Sequence, residues 1–181
     1  VVYIMTETVK KVKNRNLLVA VLLLGAFMAV FNQTIMLTAT PHLMVEFSLT
    51  ENSAQWVTTI FMLINGIMIP ISAFLMETFT SRKLYLFSMV TFIIGTIISA
   101  VSLNFPMLMV GRVVQAVGAG IIFPLMMTIF MLVFPLRRRG FAMGIAGLVI
   151  SFAPALGPAL SGWMIEYLTW RSVFFVVIPR S

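Results

Sequence analysis

The sequence predicts an all-α polytopic membrane protein, and composition and segment length are the observations that predict it. Hydrophobic residues make up 61% of the 181 residues and charged residues only 9%, and the mean hydropathy is +1.09. Soluble domains carry roughly a quarter charged residues, and a soluble fold of this length has too little interior for so much apolar surface. Because backbone groups inside lipid must be paired, and the apolar runs lack the alternation of barrel strands, the spans are predicted to be helices.

Five apolar segments are near or above the roughly 20 residues that a helix needs to cross hydrocarbon. A sixth begins at Trp170 and has about ten residues, roughly half of a crossing. Residues 1–16 are predicted to be a cytoplasmic segment, and residues 17–181 an incomplete six-helix bundle. The predicted spans are approximately 17–40, 54–76, 84–103, 107–134, 141–165 and the truncated 170–181.

Basic residues in alternate loops predict the orientation of the chain. They precede the first span, separate the second from the third, and separate the fourth from the fifth: Lys10, Lys11, Lys13, Arg15, Arg82, Lys83, Arg137, Arg138 and Arg139. By the positive-inside rule these loops and the N-terminus are predicted to be cytoplasmic. The predicted location of the protein is the cell (plasma) membrane, which it crosses several times. The opposite loops agree, apart from Arg171. A nucleic-acid partner is not predicted, since the net charge of +7 is clustered between apolar runs rather than spread over a soluble face.

One charge lies inside a predicted span. Arg112 follows Pro106 by six residues, which places it roughly 9 Å into the membrane at about 1.5 Å per residue. In the first span, Asn32 lies roughly 12 Å from the same surface by the same arithmetic, and it begins the polar triplet Asn32, Gln33 and Thr34. The two helices therefore carry polar side chains at matching depth.

Two orientations are open to Arg112. It could snorkel to the headgroups, or it could face the bundle interior, as charged residues in spans usually do. Its helical stripe contains Gln115, Ala116 and Ala119, and such small or polar residues suit helix contact better than lipid. We predict the interior orientation, with Arg112 held by Asn32, Gln33 and backbone carbonyl groups rather than by a salt bridge.

The fifth span reads GIAGLVISFAPALGPALSGW from Gly144 to Trp163. At about 100° per residue, four small residues fall within roughly 20° of one line, which predicts a smooth groove along the helix: Gly144, Ser151, Ala155 and Gly162. Pro154 and Pro158 interrupt the hydrogen-bond ladder and permit a bend. The helix could be a simple packing element or a moving one.

These residues resemble the major facilitator superfamily, specifically the fourteen-helix drug:proton antiporter branch. The fifth-helix spacing is similar to the antiporter motif of its exporters, at Gly144, Ala153, Gly157, Pro158, Ser161 and Gly162, with Ala153 and Ser161 in place of glycines. The fourth-helix motif is matched by Arg112, Gln115 and Gly118. The stretch FPLRRRGFAMG resembles the loop between these two helices, FNQTIMLTATP the first-helix motif, and GWMIEYLTWRSVFFVVIP the passage into helix six. The resemblance covers nearly the whole chain.

The resemblance implies a secondary active transporter that exports drugs or other lipophilic compounds by alternating access, coupled to protons. Its loop between helices two and three is thought to act as a cytoplasmic latch, which the resemblance carries to Glu77, Arg82 and Lys83, although both motif glycines are absent. The position often occupied by Asp in the first helix is Asn32, which does not titrate. The partners implied are the lipid bilayer, a lipophilic small-molecule substrate, protons and a missing C-terminal half.

Acidic residues are scarce in this chain. They are Glu7, Glu46, Glu51, Glu77 and Glu166, all expected in loops or at span ends. A coupling carboxylate would therefore lie in a missing half, or this half would contribute only through Arg112. His42, after Pro41, is predicted to be a loop residue. An enzyme has no candidate catalytic residues here, and no cofactor or metal is predicted.

The chain is just under half of a transporter of this kind, so we expect an N-terminal portion that is inactive alone. The alternative is a non-transporting membrane scaffold or an oligomeric channel-like protein built from five-helix units. That alternative would explain the spans and the glycines, but it would leave the ordered set of motifs unexplained.

Overall fold

Five long α-helices joined by short turns form the described part of the protein. The computed structural model describes the backbone of residues 15–167 and the side chains of residues 16–159, and this part contains no strand. The predicted sixth span, together with Ser161 and Gly162 as side chains, lies outside what is described. The helices are α1 (Arg15–Glu46), α2 (Glu51–Thr78), α3 (Ser81–Ala100), α4 (Phe105–Val133) and α5 (Leu136–Tyr167).

All five helices are long and apolar enough to cross a membrane, which confirms the predicted all-α fold class. Successive helices run in opposite directions because each connection is short. One end of the bundle holds the α1–α2 and α3–α4 turns, and we call it the Glu46 end. The opposite end holds the α2–α3 and α4–α5 turns and the start of α1, and we call it the Arg138 end.

Local hydrogen bonds set where the helices begin. The Thr50 hydroxyl accepts from the backbone N–H of Ser53 at the start of α2 (3.3 Å). The Asn104 side-chain oxygen accepts from Met107 N–H at the start of α4 (2.9 Å). Such caps satisfy the free N–H groups of a first helical turn.

Three positions differ from the sequence-based expectation. The helix α3 lies at Ser81–Ala100, shifted from the expected 84–103. The helix α5 begins at Leu136, so Arg137, Arg138 and Arg139 lie in its first turn rather than in a loop. The helix α1 continues through Pro41 to Glu46, so His42 is helical, and its prediction as a loop residue was wrong. Apolar runs report the lipid-crossing part of a helix, whereas caps decide where its backbone hydrogen bonding stops.

The helix α4 is the centre of the bundle. It packs most extensively against α3 and α2, whereas α1 packs mainly against α5 and touches α4 less. The α3–α4 contact is close, since a methyl group at Gly118 would lie 2.5 Å from the Ser88 carbonyl oxygen and 2.7 Å from Phe92 N. Side chains of α1 and α5 meet those of α2, α3 and α4 in the largest apolar core, which includes Leu22, Leu125 and Ala146.

The helix α5 carries small residues on two opposite faces. Ala142, Ala146, Ala153 and Gly157 are buried, and they form the face that packs on α1. A methyl group at Gly157 would lie 2.7 Å from Thr34 Cγ2. The predicted groove is the other face: its Gly144, Ser151 and Ala155 are exposed. The groove therefore does not serve contact with α1, and α5 is helical through Pro154 and Pro158.

Candidate functional site

Arg112 is the largest fully buried side chain of the described bundle, with an exposed fraction of 0%. It lies seven residues into α4, on the face that also buries Gln115, Ala116 and Ala119. The inward orientation predicted from this stripe is confirmed. A charge turned toward lipid costs up to about 2.5–3.5 kcal/mol on insertion scales, the value for the centre of a span, so inward burial with polar partners is favourable.

Neutral groups from three helices surround the guanidinium of Arg112. Its Nη1 donates to Asn32 Oδ1 on α1 at 2.9 Å and to Gln115 Oε1 on its own helix at 2.6 Å. Its Nε donates to the backbone carbonyl of Val57 on α2 at 3.5 Å. The guanidinium carbon lies 4.5 Å from the centre of the Phe61 ring, also on α2, and a desolvated cation–π contact of this kind is worth up to about 2 kcal/mol.

The network continues from Gln115 into a fourth helix. Gln115 Nε2 donates to Thr96 Oγ1 on α3 at 2.8 Å, and the Thr96 hydroxyl donates to Phe92 O at 2.8 Å. Gln115 therefore accepts from the cation with its oxygen and donates with its nitrogen, which fixes the orientation of the amide. We call this set of residues, Asn32, Phe61, Thr96, Arg112 and Gln115, the Arg112 cluster.

The positive charge of Arg112 has no anionic partner among the described residues. Each of its contacts is an amide oxygen, a backbone carbonyl or an aromatic ring, and its Nη2 is buried without a hydrogen-bond partner. A buried unsatisfied donor costs about 1–3 kcal/mol, and more when it is charged. None of the described carboxylates is inside a span, since Glu46, Glu51 and Glu77 all lie within two residues of a helix terminus.

The predicted polar triplet is only partly in this cluster. Asn32 is buried and binds Arg112 directly. Gln33 is half-buried, and its side chain makes no hydrogen bond to any residue that the structure describes. The Thr34 hydroxyl donates to Val30 O at 2.9 Å, within its own helix, and its methyl group packs near Gly157. Helical spacing of about 100° per residue turns these neighbours away from the face that Asn32 shares with α4.

The sequence did not single out Thr96, Phe61 or the Val57 carbonyl. A threonine and a phenylalanine are unremarkable inside a span, and any backbone carbonyl is a possible acceptor. The available signal for Thr96 was its position as a polar residue in the apolar stretch TFIIGTII. Nothing in the sequence indicated which residue of α2 would face Arg112.

The other predicted site residues lie away from the Arg112 cluster. In α5, Ala153 is buried against Phe31 and Ile35, whereas Gly144 and Pro158 are exposed. Glu77 is at the end of α2, and Arg82 and Lys83 are in the first turn of α3, all three exposed. Over the described residues no ion pair or hydrogen bond joins these three side chains, so their role as a latch stays a prediction.

The Arg112 cluster offers a positive charge and hydrogen bonds, and it contains no nucleophile with an adjacent base for covalent chemistry. Among the described side chains of residues 16–159, no group of three His, Cys, Asp or Glu residues is placed to hold a metal ion. The cluster holds one cation through hydrogen bonds, two of which cross to α1 and α2.

Comparison of the sequence with known proteins assigns the chain to a family. The sequence profile of the Major Facilitator Superfamily matches residues 22–179, which include most of α1, all of α2 to α5 and every residue of the Arg112 cluster. The chain belongs to the Major Facilitator Superfamily.

Individual relatives agree with this assignment. The chain is 53% identical to the uncharacterized MFS-type transporter YcnB of Bacillus subtilis, over 96% of this chain and 37% of that protein. It is 39% identical to the lincomycin resistance protein LmrB of Bacillus subtilis, over 87% of this chain and 33% of LmrB. The lincomycin resistance protein LmrB of Listeria monocytogenes is 43% identical, over 90% of this chain and 34% of that protein. The chain spans about a third of the length of these relatives.

Proposed function

We propose that this chain is the N-terminal portion of a secondary active transporter that exports lipophilic compounds, including drugs, by alternating access. Membership of the Major Facilitator Superfamily supports transport, and the lincomycin resistance proteins among its relatives support export of a drug. In this proposal the remaining part of a transporter of the relatives' length supplies the opposite wall of the substrate pathway, and the 181-residue chain alone does not transport.

The Arg112 cluster is the observation that carries this proposal. A bundle that needed only stability would gain more from apolar residues here, since replacing buried charged groups by well-packed hydrophobic residues is often neutral or stabilising. The guanidinium instead donates to Asn32 on α1 and to the Val57 carbonyl on α2, two separate helices. We infer that these bonds exchange as the helices shift between the two states of the transport cycle.

We also propose that transport is coupled to protons, and that the groups responsible lie in two different parts of the transporter. The described spans carry no carboxylate more than two residues inside a helix end. The proton-binding acid is therefore assigned to the remaining part of the transporter, and Arg112 contributes a fixed charge. Gln33 and Thr34, and the small-residue motif of α5, are proposed to line or adjoin the pathway, and Glu77, Arg82 and Lys83 to latch its cytoplasmic side.

The proposed location is the cell membrane, with the Arg138 end in the cytoplasm. Arg82, Lys83 and the three arginines 137–139 all lie at that end, and basic residues near span ends favour the cytoplasmic side. The Glu46 end, with Glu46 and Glu51, then faces outward.

Transport by the full-length protein in inverted membrane vesicles tests this function. Vesicles containing it should accumulate lincomycin, or another member of a panel of lipophilic drugs, when a proton gradient is imposed. A protonophore should abolish the accumulation, and vesicles with the 181-residue chain should show none. Accumulation by the 181-residue chain would contradict the proposal, and a stable symmetric ring of this chain that conducts solutes passively would favour the channel alternative.

A further inference from the structure

We propose that the exposed face of α3 binds an anionic phospholipid of the membrane leaflet at the Arg138 end, with Arg82 and Lys83 at the lipid headgroup. The inference goes beyond the proposed transport function and does not depend on it. The distribution of charged, large and small side chains around α3 supports it.

The exposed side chains of α3 all lie on one side of the helix. The helix packs extensively against α4, and its other described contacts are slight. At about 100° per residue, its exposed residues fall within roughly 140°. From the start of the helix they are Arg82, Lys83, Leu86, Phe87, Val90, Ile94 and Ile97. This face therefore begins with two cations and continues with large apolar side chains alone.

The size of these apolar side chains suits lipid better than another helix. Helix contacts in membranes favour small residues, because small residues let two backbones approach closely. The face of α3 that meets α4 follows this rule, since a methyl group at Gly95 would overlap the backbone of Gln115. Ser88, Thr96 and Ser99 are buried on the same side. The opposite face, with Leu, Phe, Val and Ile, offers the surface that acyl chains cover.

The length of the apolar stripe matches one leaflet of a membrane. Leu86 and Ile97 are eleven residues apart, which is roughly 16 Å along the helix. Half of a hydrocarbon core of roughly 30 Å is about 15 Å. Arg82 and Lys83 lie four residues before Leu86 and Phe87, on the same face of the helix. When the stripe contacts the acyl chains, the two cations are therefore at the depth of the headgroup.

The charge of this site favours a headgroup with a net negative charge. The first turn of α3 contains no acidic residue, and neither Arg82 nor Lys83 pairs with Glu77 or with another described side chain. A zwitterionic headgroup carries an ammonium group near its phosphate, and two adjacent cations repel that ammonium group. Each Lys or Arg near the membrane surface strengthens attraction to an anionic lipid by roughly fivefold. Phosphatidylglycerol should therefore bind here in preference to phosphatidylcholine.

The test replaces Phe87 of the full-length transporter by the photoreactive residue p-benzoylphenylalanine and identifies what this residue crosslinks to. The purified protein is placed in bilayer discs that contain equal amounts of dioleoylphosphatidylglycerol and dioleoylphosphatidylcholine. After illumination, mass spectrometry measures the ratio of the two lipid adducts. Phosphatidylglycerol adducts should exceed phosphatidylcholine adducts by at least about fivefold. With Arg82→Gln and Lys83→Gln together, the ratio should fall to within about twofold of one.

The matched control is Arg137→Gln together with Arg138→Gln, which removes the same charge from exposed positions at the start of α5. The adduct ratio at Phe87 should stay unchanged in this variant. Lys83→Gln alone leaves more of the basic charge that favours correct orientation, and it should lower the ratio at least about twofold if the double variant at α3 does not insert.

Three results would overturn the inference. They are a ratio near one without the glutamine substitutions, an equal fall in the control, and crosslinking to protein instead of lipid. The last result would favour contact of Arg82 and Lys83 with the remaining part of the transporter, as in the proposed latch. All of these measurements report lipid contact, so they are independent of a failure of drug accumulation in vesicles.

Discussion

At the scale of single residues, Arg112 is stabilised by three kinds of neutral contact and is incompletely satisfied by them. Hydrogen bonds to Asn32, Gln115 and Val57 O, and the Phe61 ring, replace part of its hydration. The unpaired Nη2 shows that this replacement is incomplete. A site that retains a costly group usually does so for function rather than for stability.

Replacing Arg112 distinguishes a role of this residue in transport from a role in the stability of the bundle. We expect Arg112→Leu in the full-length transporter to reduce export by at least tenfold while the amount of protein in the membrane stays within about twofold. Leucine favours insertion into lipid, by roughly 3 kcal/mol over arginine on insertion scales, but it leaves the acceptors on Asn32 and Gln115 without their donor. Drug accumulation in vesicles, normalised to the protein content of the membrane, measures the effect.

The matched control is Arg138→Leu, which removes the same side chain from an exposed position at the start of α5. Export should be close to wild type in this variant. Unchanged export in Arg112→Leu would show that the buried charge is dispensable, and loss of the variant from the membrane would point to a structural role instead.

The sequence predicted three of the five residues in the Arg112 cluster and missed the other two for a physical reason. Matching depth related Arg112 to Asn32, and a three-residue step related it to Gln115, because helical rise and turn are fixed by backbone geometry. The contacts of Phe61 and Thr96 depend on how α2 and α3 are rotated against α4. That rotation is a property of tertiary packing, and no single helix encodes it.

At the scale of helices, the close approach of α3 and α4 makes the strongest prediction about stability. Gly118→Ala would bring a methyl group to 2.5 Å from Ser88 O and 2.7 Å from Phe92 N, both backbone atoms. Overpacking of this kind costs about 1–3 kcal/mol, since the two helices must separate. We expect a lower thermal unfolding midpoint for this chain in detergent, measured by the loss of helical circular dichroism.

Gly66→Ala is the matched control for this helix contact. Gly66 is also in the middle of a helix, but it has no heavy atom within 4 Å of the added methyl group. Alanine is favoured over glycine in a helix by up to about 1 kcal/mol, so the midpoint should stay the same or rise. Equal effects of the two substitutions would mean that α3 and α4 are not in close contact at Gly118.

The helix α5 shows what periodicity predicts and what it leaves open. Its small residues were correctly read as a helical stripe, but the stripe that contacts α1 contains Ala146 and Ala153, on the opposite side of the helix from Gly144 and Ser151. Periodicity identifies faces, and only the position of a neighbouring helix decides which face is covered. Small residues on an exposed face suit close approach of another helix better than contact with lipid, which supports the proposed position of the α5 motif at or beside the pathway.

At the scale of the whole molecule, the bundle consists of two groups of helices. The group α2, α3 and α4 is tightly packed, the pair α1 and α5 forms the other, and contacts between α4 and α5 are few. The bond between Arg112 and Asn32 crosses from one group to the other. The fold class, the number of described helices and their antiparallel order followed from composition and segment length, whereas this grouping did not, because hydropathy carries no information about which helices are neighbours.

Membrane orientation is the last property that the charges of the bundle predict, and the absence of cysteine from the sequence allows a clean test. We expect the Glu46 end to face outward, because the basic residues of α3 and α5 lie at the opposite end.

Leu103→Cys, at a position 83% exposed beside the α3–α4 turn, should react with a membrane-impermeant maleimide added to intact cells. Gly140→Cys, an exposed position near the start of α5, should react only after the cells are permeabilised. The reverse pattern would place the Arg138 end outside and contradict the proposed orientation, and equal labelling of both cysteines in intact cells would contradict a single orientation.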